Sequence, residues 1–143
     1  MTIKAPWHLW VVGVIAVLFN AIGVFDFVMN MIQGPSYLAS AGMTPEQVAH
    51  YQDMPMWMTV VWATGVWGAM LASLLILLRR KLATPVFAVS LAAFLVSLIY
   101  TYVLTDGGAI MGQAMAITSA VITALLLFFM WYSWLMTKRG VLR

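Results

Sequence analysis

Four long apolar stretches dominate the chain, at about 7–32, 55–78, 85–104 and 110–136, and polar positions gather between them. Each stretch reaches or exceeds the roughly 20 residues needed to cross a hydrocarbon layer of about 30 Å. The pattern predicts an all-α protein built as a bundle of four transmembrane helices. Local chemistry marks the boundaries. Thr84-Pro85 reads as N-cap and first residue of the third helix, Pro55 suits the start of the second, and Asp106-Gly107-Gly108 turns the chain after the third. In the loop 33–54, Gly34-Pro35 ends the first helix. Thr44-Pro45-Glu46-Gln47 then reads as a capping box opening a short amphipathic helix to about Gln52, with Val48 and Tyr51 sharing a face. No linker or low-complexity tract interrupts residues 1–143, which read as a single integral membrane domain. Lys4-Ala5-Pro6 and Lys81…Pro85 open helices 1 and 3 alike, a hint of two parallel hairpins that charge placement alone also produces.

Composition agrees with the pattern. The chain is 64% hydrophobic and 8% charged, against about 25% charged in soluble domains. Cysteine is absent, which excludes disulfides, thiolate metal sites and CxxC redox chemistry. Lys4 ahead of an apolar run, with Ala21-Ile22-Gly23 further on, has the outline of a secretory signal. The run continues to Ile32, too long for a signal core, so it is expected to be retained as a helix.

Charge placement adds an orientation. All seven basic residues (Lys4, Arg79, Arg80, Lys81, Lys138, Arg139 and Arg143) fall on one side of the four-span map. The opposite loops hold Glu46, Asp53 and Asp106. The positive-inside rule then puts both termini and the 79–83 loop in the cytoplasm. Trp7, Trp10, Trp131 and Trp134 map to the inner interface and Trp57, Tyr51 and Tyr102 to the outer one, where amphipathic rings are favoured. The net charge of +3 is therefore a matter of topology and of attraction to lipid heads, not of nucleic acid.

Candidate chemistry concentrates in helix 1, where His8, Asn20, Gly23, Asp26, Asn30 and Gln33 fall on one half of the surface. At about 1.5 Å per residue from Trp7, Asn20 lies roughly 20 Å deep and Asp26 roughly 28 Å, near the outer edge of the hydrocarbon. An intramembrane carboxylate is costly, so Asp26 is either a proton, cation or polar-ligand site or a boundary residue satisfied by Tyr, Thr or water. Trp67 comes out near the depth of Asn20, slightly toward the cytoplasm, and Trp62 and Tyr100 approach the depth of Asp26. They line either a small cavity in which Asn20 and Asp26 orient a ligand, or an interhelical packing layer. Small residues at four-residue spacing (Gly65, Ala69 with Gly68, Ala72 in helix 2; Gly112, Ala116, Ala120 in helix 4) allow close helix approach, within the bundle or between protomers. Eight outer methionines, Met111 among them, are soft enough for Cu(I), with His50 nearby. Met54 and Met56 cannot share a helix face, however, and methionine also packs well in irregular apolar surroundings, so no metal is assigned. His8 and His50 lie on opposite sides, which rules out paired haem ligation, and no HExxH, GxSxG, Walker A or GxGxxG pattern occurs. No cofactor and no enzymatic activity are expected.

Pro6-Trp7-His8-Leu9-Trp10-Val11-Val12-Gly13, Asn20, Phe25-Asp26, Trp62-Ala63-Thr64-Gly65-Val66-Trp67-Gly68 and Arg139-Gly140-Val141-Leu142-Arg143 carry a resemblance. Across nearly its whole length the chain resembles a family of small four-helix bacterial membrane proteins commonly labelled sugar transporters. The resemblance implies the fold and a bacterial inner membrane, and no mechanism or site residue. Three functions are expected in order: an accessory or assembly subunit packing against itself or a larger membrane complex; an oligomeric small-solute transporter or channel; and a lipid- or cofactor-binding membrane module.

Overall fold

The computed structural model describes residues 4–143, and for Met111 the backbone alone. The chain is 83% helix, with no strand among the described residues. Its elements are α1 (Trp7–Gln33), α2 (Pro35–Ser40), α3 (Pro45–Gln52), α4 (Met56–Leu77), α5 (Ala83–Ile99), which continues as a π-helical turn (Tyr100–Leu104), and α6 (Gly107–Lys138). Four of these helices are long and apolar enough to cross a membrane, Trp7–Gln33, Met56–Leu77, Ala83–Leu104 and Gly112–Lys138. The chain is a multi-pass membrane protein.

Its two ends differ in chemistry. Residues 4–6, the α4–α5 turn and residues 138–143 lie at one end with all seven basic side chains, here the basic end. The opposite, loop end carries α2, α3 and the 105–106 bend.

Helix α4 is central, packing on α5 along one side and α1 along the other, while α6 packs on α5. The α4–α5 seam is close because it is built from small residues. A methyl placed on Gly68 would stand 3.5 Å from Ser90 Cβ, and one on Gly65 3.7 Å from the Ser90 carbonyl oxygen. Ser90 Oγ closes the seam by donating to the Gly65 carbonyl at 2.6 Å. Ala69 and Ala72 are buried in the same core. The small residues of α6 behave differently. Gly112 takes φ 79°, a left-handed value that favours glycine, and kinks the helix; Ala116 and Ala120 then face outward.

The basic end is sealed. Phe129 meets Phe87 at 5.9 Å and Phe19 at 6.4 Å between ring centroids. His8 Nδ1 shares a hydrogen bond with the Tyr132 hydroxyl, and Thr84 Oγ1 with Ser133 Oγ at 2.9 Å. Residues 141–143 fold back over the α4–α5 turn. Arg143 N–H donates to the Arg79 carbonyl at 3.0 Å, Lys81 N–H to the Arg143 carbonyl at 3.2 Å, and Arg79 Nε to the Val141 carbonyl at 3.1 Å. Val141 and Leu142 are buried beneath these bonds.

Several boundaries differ from those the sequence predicts. Helix α5 begins at Ala83 rather than Pro85, so Thr84 lies inside it and its hydroxyl turns to Ser133 instead of capping. Helix α6 begins at Gly107. Gly34, at φ 59°, does end α1, but Pro35 at once starts the short α2, because its fixed φ suits a first helical turn. The capping box of α3 is present: Thr44 Oγ1 accepts from Gln47 N–H at 3.2 Å and Gln47 Oε1 from Thr44 N–H at 3.0 Å.

Candidate functional site

Because α1 and α6 are clamped together only toward the basic end, they part toward the loop end and leave a cleft of about 790 Å³. That volume falls within the roughly 300–1,000 Å³ of small-molecule sites. Its floor is Phe19, Ala69 and Leu126. Its back wall is the α4–α5 seam, with Trp62, Gly65, Ser90, Ala93 and Phe94. The roof comes from the loop end, through Tyr37 on α2, His50 and Tyr51 on α3, and Met54. The mouth is lateral: its rims on α1 and α6 carry Ile22 and Ile117, which are 70% and 57% exposed. In a bilayer such a mouth faces acyl chains rather than water.

The hydroxyls of the walls are largely internal. Ser90, Ser97 and Thr118 donate to carbonyls of Gly65, Phe94 and Ala114, at 2.6, 2.6 and 2.9 Å. The apolar character of the cleft follows from this, since these groups already satisfy their helices. Polarity gathers instead beneath the roof. The Tyr37 hydroxyl donates to Asp26 Oδ1 at 2.8 Å. That hydrogen bond, with some desolvation, holds the Tyr37 phenol above its ordinary range. Burial, aided by the Asp26 carboxylate, pushes Tyr51 up to about 12. Burial lowers His50, against the opposing pull of Asp53. The roof therefore holds two phenols biased toward their protonated forms and an imidazole biased toward its neutral form.

The aromatic rings of this end form a connected series. Phe27 meets Trp62 at 4.9 Å, Trp62 meets Tyr51 at 5.9 Å, Tyr51 meets His50 at 6.0 Å, and His50 meets Tyr100 at 6.0 Å between centroids. Trp57 extends it from Tyr100 at 5.6 Å. Gly107 permits the His50 position, because a methyl there would stand 2.7 Å from His50 Cε1.

Of the residues singled out from the sequence, Asn20, Asp26, Trp62 and Tyr100 line this cleft. Asn20 sits at its deep end with its amide nitrogen already engaged, donating to the Ala16 carbonyl at 2.8 Å and to Ser73 Oγ at 2.7 Å. It thus ties α1 to α4. Asn30 is buried away from the cleft, and its amide nitrogen has no hydrogen-bond partner among the described residues. Trp67 lies outside the cleft and is 47% exposed on the bundle surface. Gly65 and Ala69 line the cleft from α4, whereas Ala116 and Ala120 border an adjoining shallow groove between α5 and α6 with Leu98 and Tyr102. Met54, Met58 and Met115 line the cleft, and the Met111 side chain lies outside the described residues. Among the described residues no three His, Asp or Glu side chains converge as a metal site would need.

The sequence reading placed Tyr51 at an interface and did not single out Tyr37. Their meeting with Asp26 depends on how α2 and α3 fold over α1. The one local signal was Pro35, which starts the helix that carries Tyr37. Comparison of the chain with protein-family models, curated proteins and solved structures gives no match in any of the three.

Proposed function

We propose that this protein holds one amphipathic, lipid-like molecule in the lateral cleft, acting as a small binding module of a bacterial cytoplasmic membrane with its basic end inside. The seven basic residues at one end support this orientation. The observation that carries the binding reading is the lateral mouth. An apolar tail can enter between α1 and α6 without crossing water, while a polar head meets Asp26, Tyr37, His50 and Tyr51 at the roof. No catalytic step is assigned to it. A transport role would require the basic end to open through the Phe19–Phe129–Phe87 packing.

Native mass spectrometry of the purified protein tests the reading. One lipid-sized adduct per protomer is expected. Gly23 lines the cleft with nothing within 4 Å of a methyl placed on it, so Gly23→Trp should fill the space and remove the adduct. Leu18→Trp, on the exposed surface outside the cleft, should retain it. Equal retention in Gly23→Trp and wild type would rule the cleft out as the binding place.

The exposed Ala116 and Ala120 favour a second reading, an accessory subunit that docks this face of α6 on a partner helix. In that case Ala120→Leu should reduce the mass of the native complex without unfolding the protomer. An unchanged mass would discard it.

A further inference from the structure

We infer that the cleft selects amphiphiles with a cationic ammonium head over those with anionic or neutral heads. This rests on the cleft being the binding place. Two independent features of the roof point to ammonium. The first is charge. Asp26 lines the cleft and, among the described residues, takes one hydrogen bond, from Tyr37 to one of its oxygens. No Lys or Arg is near enough to neutralise it, because all seven lie at the basic end. Asp53 closes α3 beside His50 and Tyr100 and adds a second negative charge at the same end. An anionic head would meet carboxylates with no compensating cation, whereas an ammonium head would meet the counter-ion it lacks.

The second feature is aromatic. Trp62, Tyr51, His50 and Tyr100 all line the cleft and lie within ring-contact distance of their neighbours in the series. Ring faces attract ammonium groups electrostatically, and more strongly where water is excluded. A carboxylate beside several rings, at the polar end of an apolar cleft, matches an ammonium on a long tail. The source is either a membrane lipid with an aminoalkyl head or a free amphipathic amine.

The test compares probes sharing a dodecyl tail: dodecyltrimethylammonium, dodecyl maltoside and dodecyl sulfate. Binding to the full chain is followed by native mass spectrometry, with phosphatidylethanolamine against phosphatidylglycerol of matched chains as a second pair. Dodecyltrimethylammonium should bind at least about tenfold more tightly than either other probe. Asp26→Asn, which keeps the acceptor for Tyr37, should remove most of that preference, and Trp62→Leu part of it. Preference for phosphatidylethanolamine identifies a lipid source; preference confined to the three dodecyl probes identifies a free amine. Equal binding of the three probes, all lost in Gly23→Trp, would overturn the ammonium preference and leave the cleft reading standing. Binding untouched by Gly23→Trp would overturn both.

Discussion

The two ends of this small bundle use the same materials for opposite results. At the basic end aromatic side chains fill space: Phe87, Phe129 and Tyr132 are buried, and Val141 and Leu142 close the surface above them. At the loop end aromatic side chains surround space, with Trp62, Tyr51 and Tyr100 lining a cleft. Hydrogen bonds divide in the same way. His8 with Tyr132 and Thr84 with Ser133 join helices in part-buried positions, while Tyr37 with Asp26 is exposed at a rim. Apolar helices in a membrane gain little from hydrophobic burial against one another, so close packing and satisfied polar groups decide which faces stay together. The basic end meets both conditions and holds. The loop end meets neither between α1 and α6, and there the helices part.

Glycine substitution probes this contrast most directly. Gly68→Leu forces a branched side chain into the α4–α5 seam, where a methyl already meets Ser90 Cβ at 3.5 Å. Overpacking of that kind should cost about 3 kcal/mol. Gly23→Leu places the same side chain in open cleft and should change stability by less than about 0.5 kcal/mol. Thermal unfolding in one detergent compares them. Equal losses would mean the cleft is not open space.

The sequence made the helices legible and left the cleft obscure, for separable reasons. Spans are read from about 20 residues of averaged hydropathy, which tolerates local error, and the four predicted stretches overlap the four observed helices. A ladder of small residues says that a face can approach another closely, not which one it meets. Gly65 and Gly68 meet α5, while Ala116 and Ala120, at the same spacing, face outward. The sequence reading puts Trp62 and Trp67 around one cavity at two depths, yet five helical residues place them about 140° apart. Only Trp62 of that pair lines the cleft. The angle was available from the sequence and carried more information than the depth. The Tyr37 contact was not available, because it depends on the turn at Gly34, whose φ of 59° no pattern in the chain specifies.

Removing one hydroxyl at each end gives a smaller but sharper test. Tyr132 is 6% exposed, and Tyr132→Phe leaves the half-buried His8 Nδ1 without its partner. A loss of about 1–3 kcal/mol is expected. Tyr37→Phe removes the donor to an exposed carboxylate that water or lipid heads can solvate instead. A loss under about 0.5 kcal/mol is expected there. Unfolding curves of the two variants beside wild type decide the matter, and a Tyr37→Phe loss as large as that of Tyr132→Phe would make the rim a structural core after all.

The smallest effect expected is a pH dependence confined to the roof. Burial lowers His50 from its ordinary value of 6.5, and Asp53 only partly offsets this. The folded roof thus binds a proton less readily than an opened one does. By linkage, stability then rises with pH through the histidine range: the neutral ring is fully accommodated above its ordinary value, and the roof weakens as acid protonates it. The ring has little room to escape, since it rests against Gly107 and Tyr100. Hydrogen exchange of the α3 amides, Pro45–Gln52, should therefore show protection falling a few-fold between about pH 7.5 and about pH 5, after correction for intrinsic exchange. His50→Gln keeps a polar side chain of similar reach but cannot gain the proton, so its protection should stay flat over the same interval. Comparing the two proteins cancels every other titrating group, Asp53 included. If the variant loses protection as steeply as wild type, neutral His50 is not what holds the roof in place, and the contrast between a fixed basic end and a titratable loop end fails at that point.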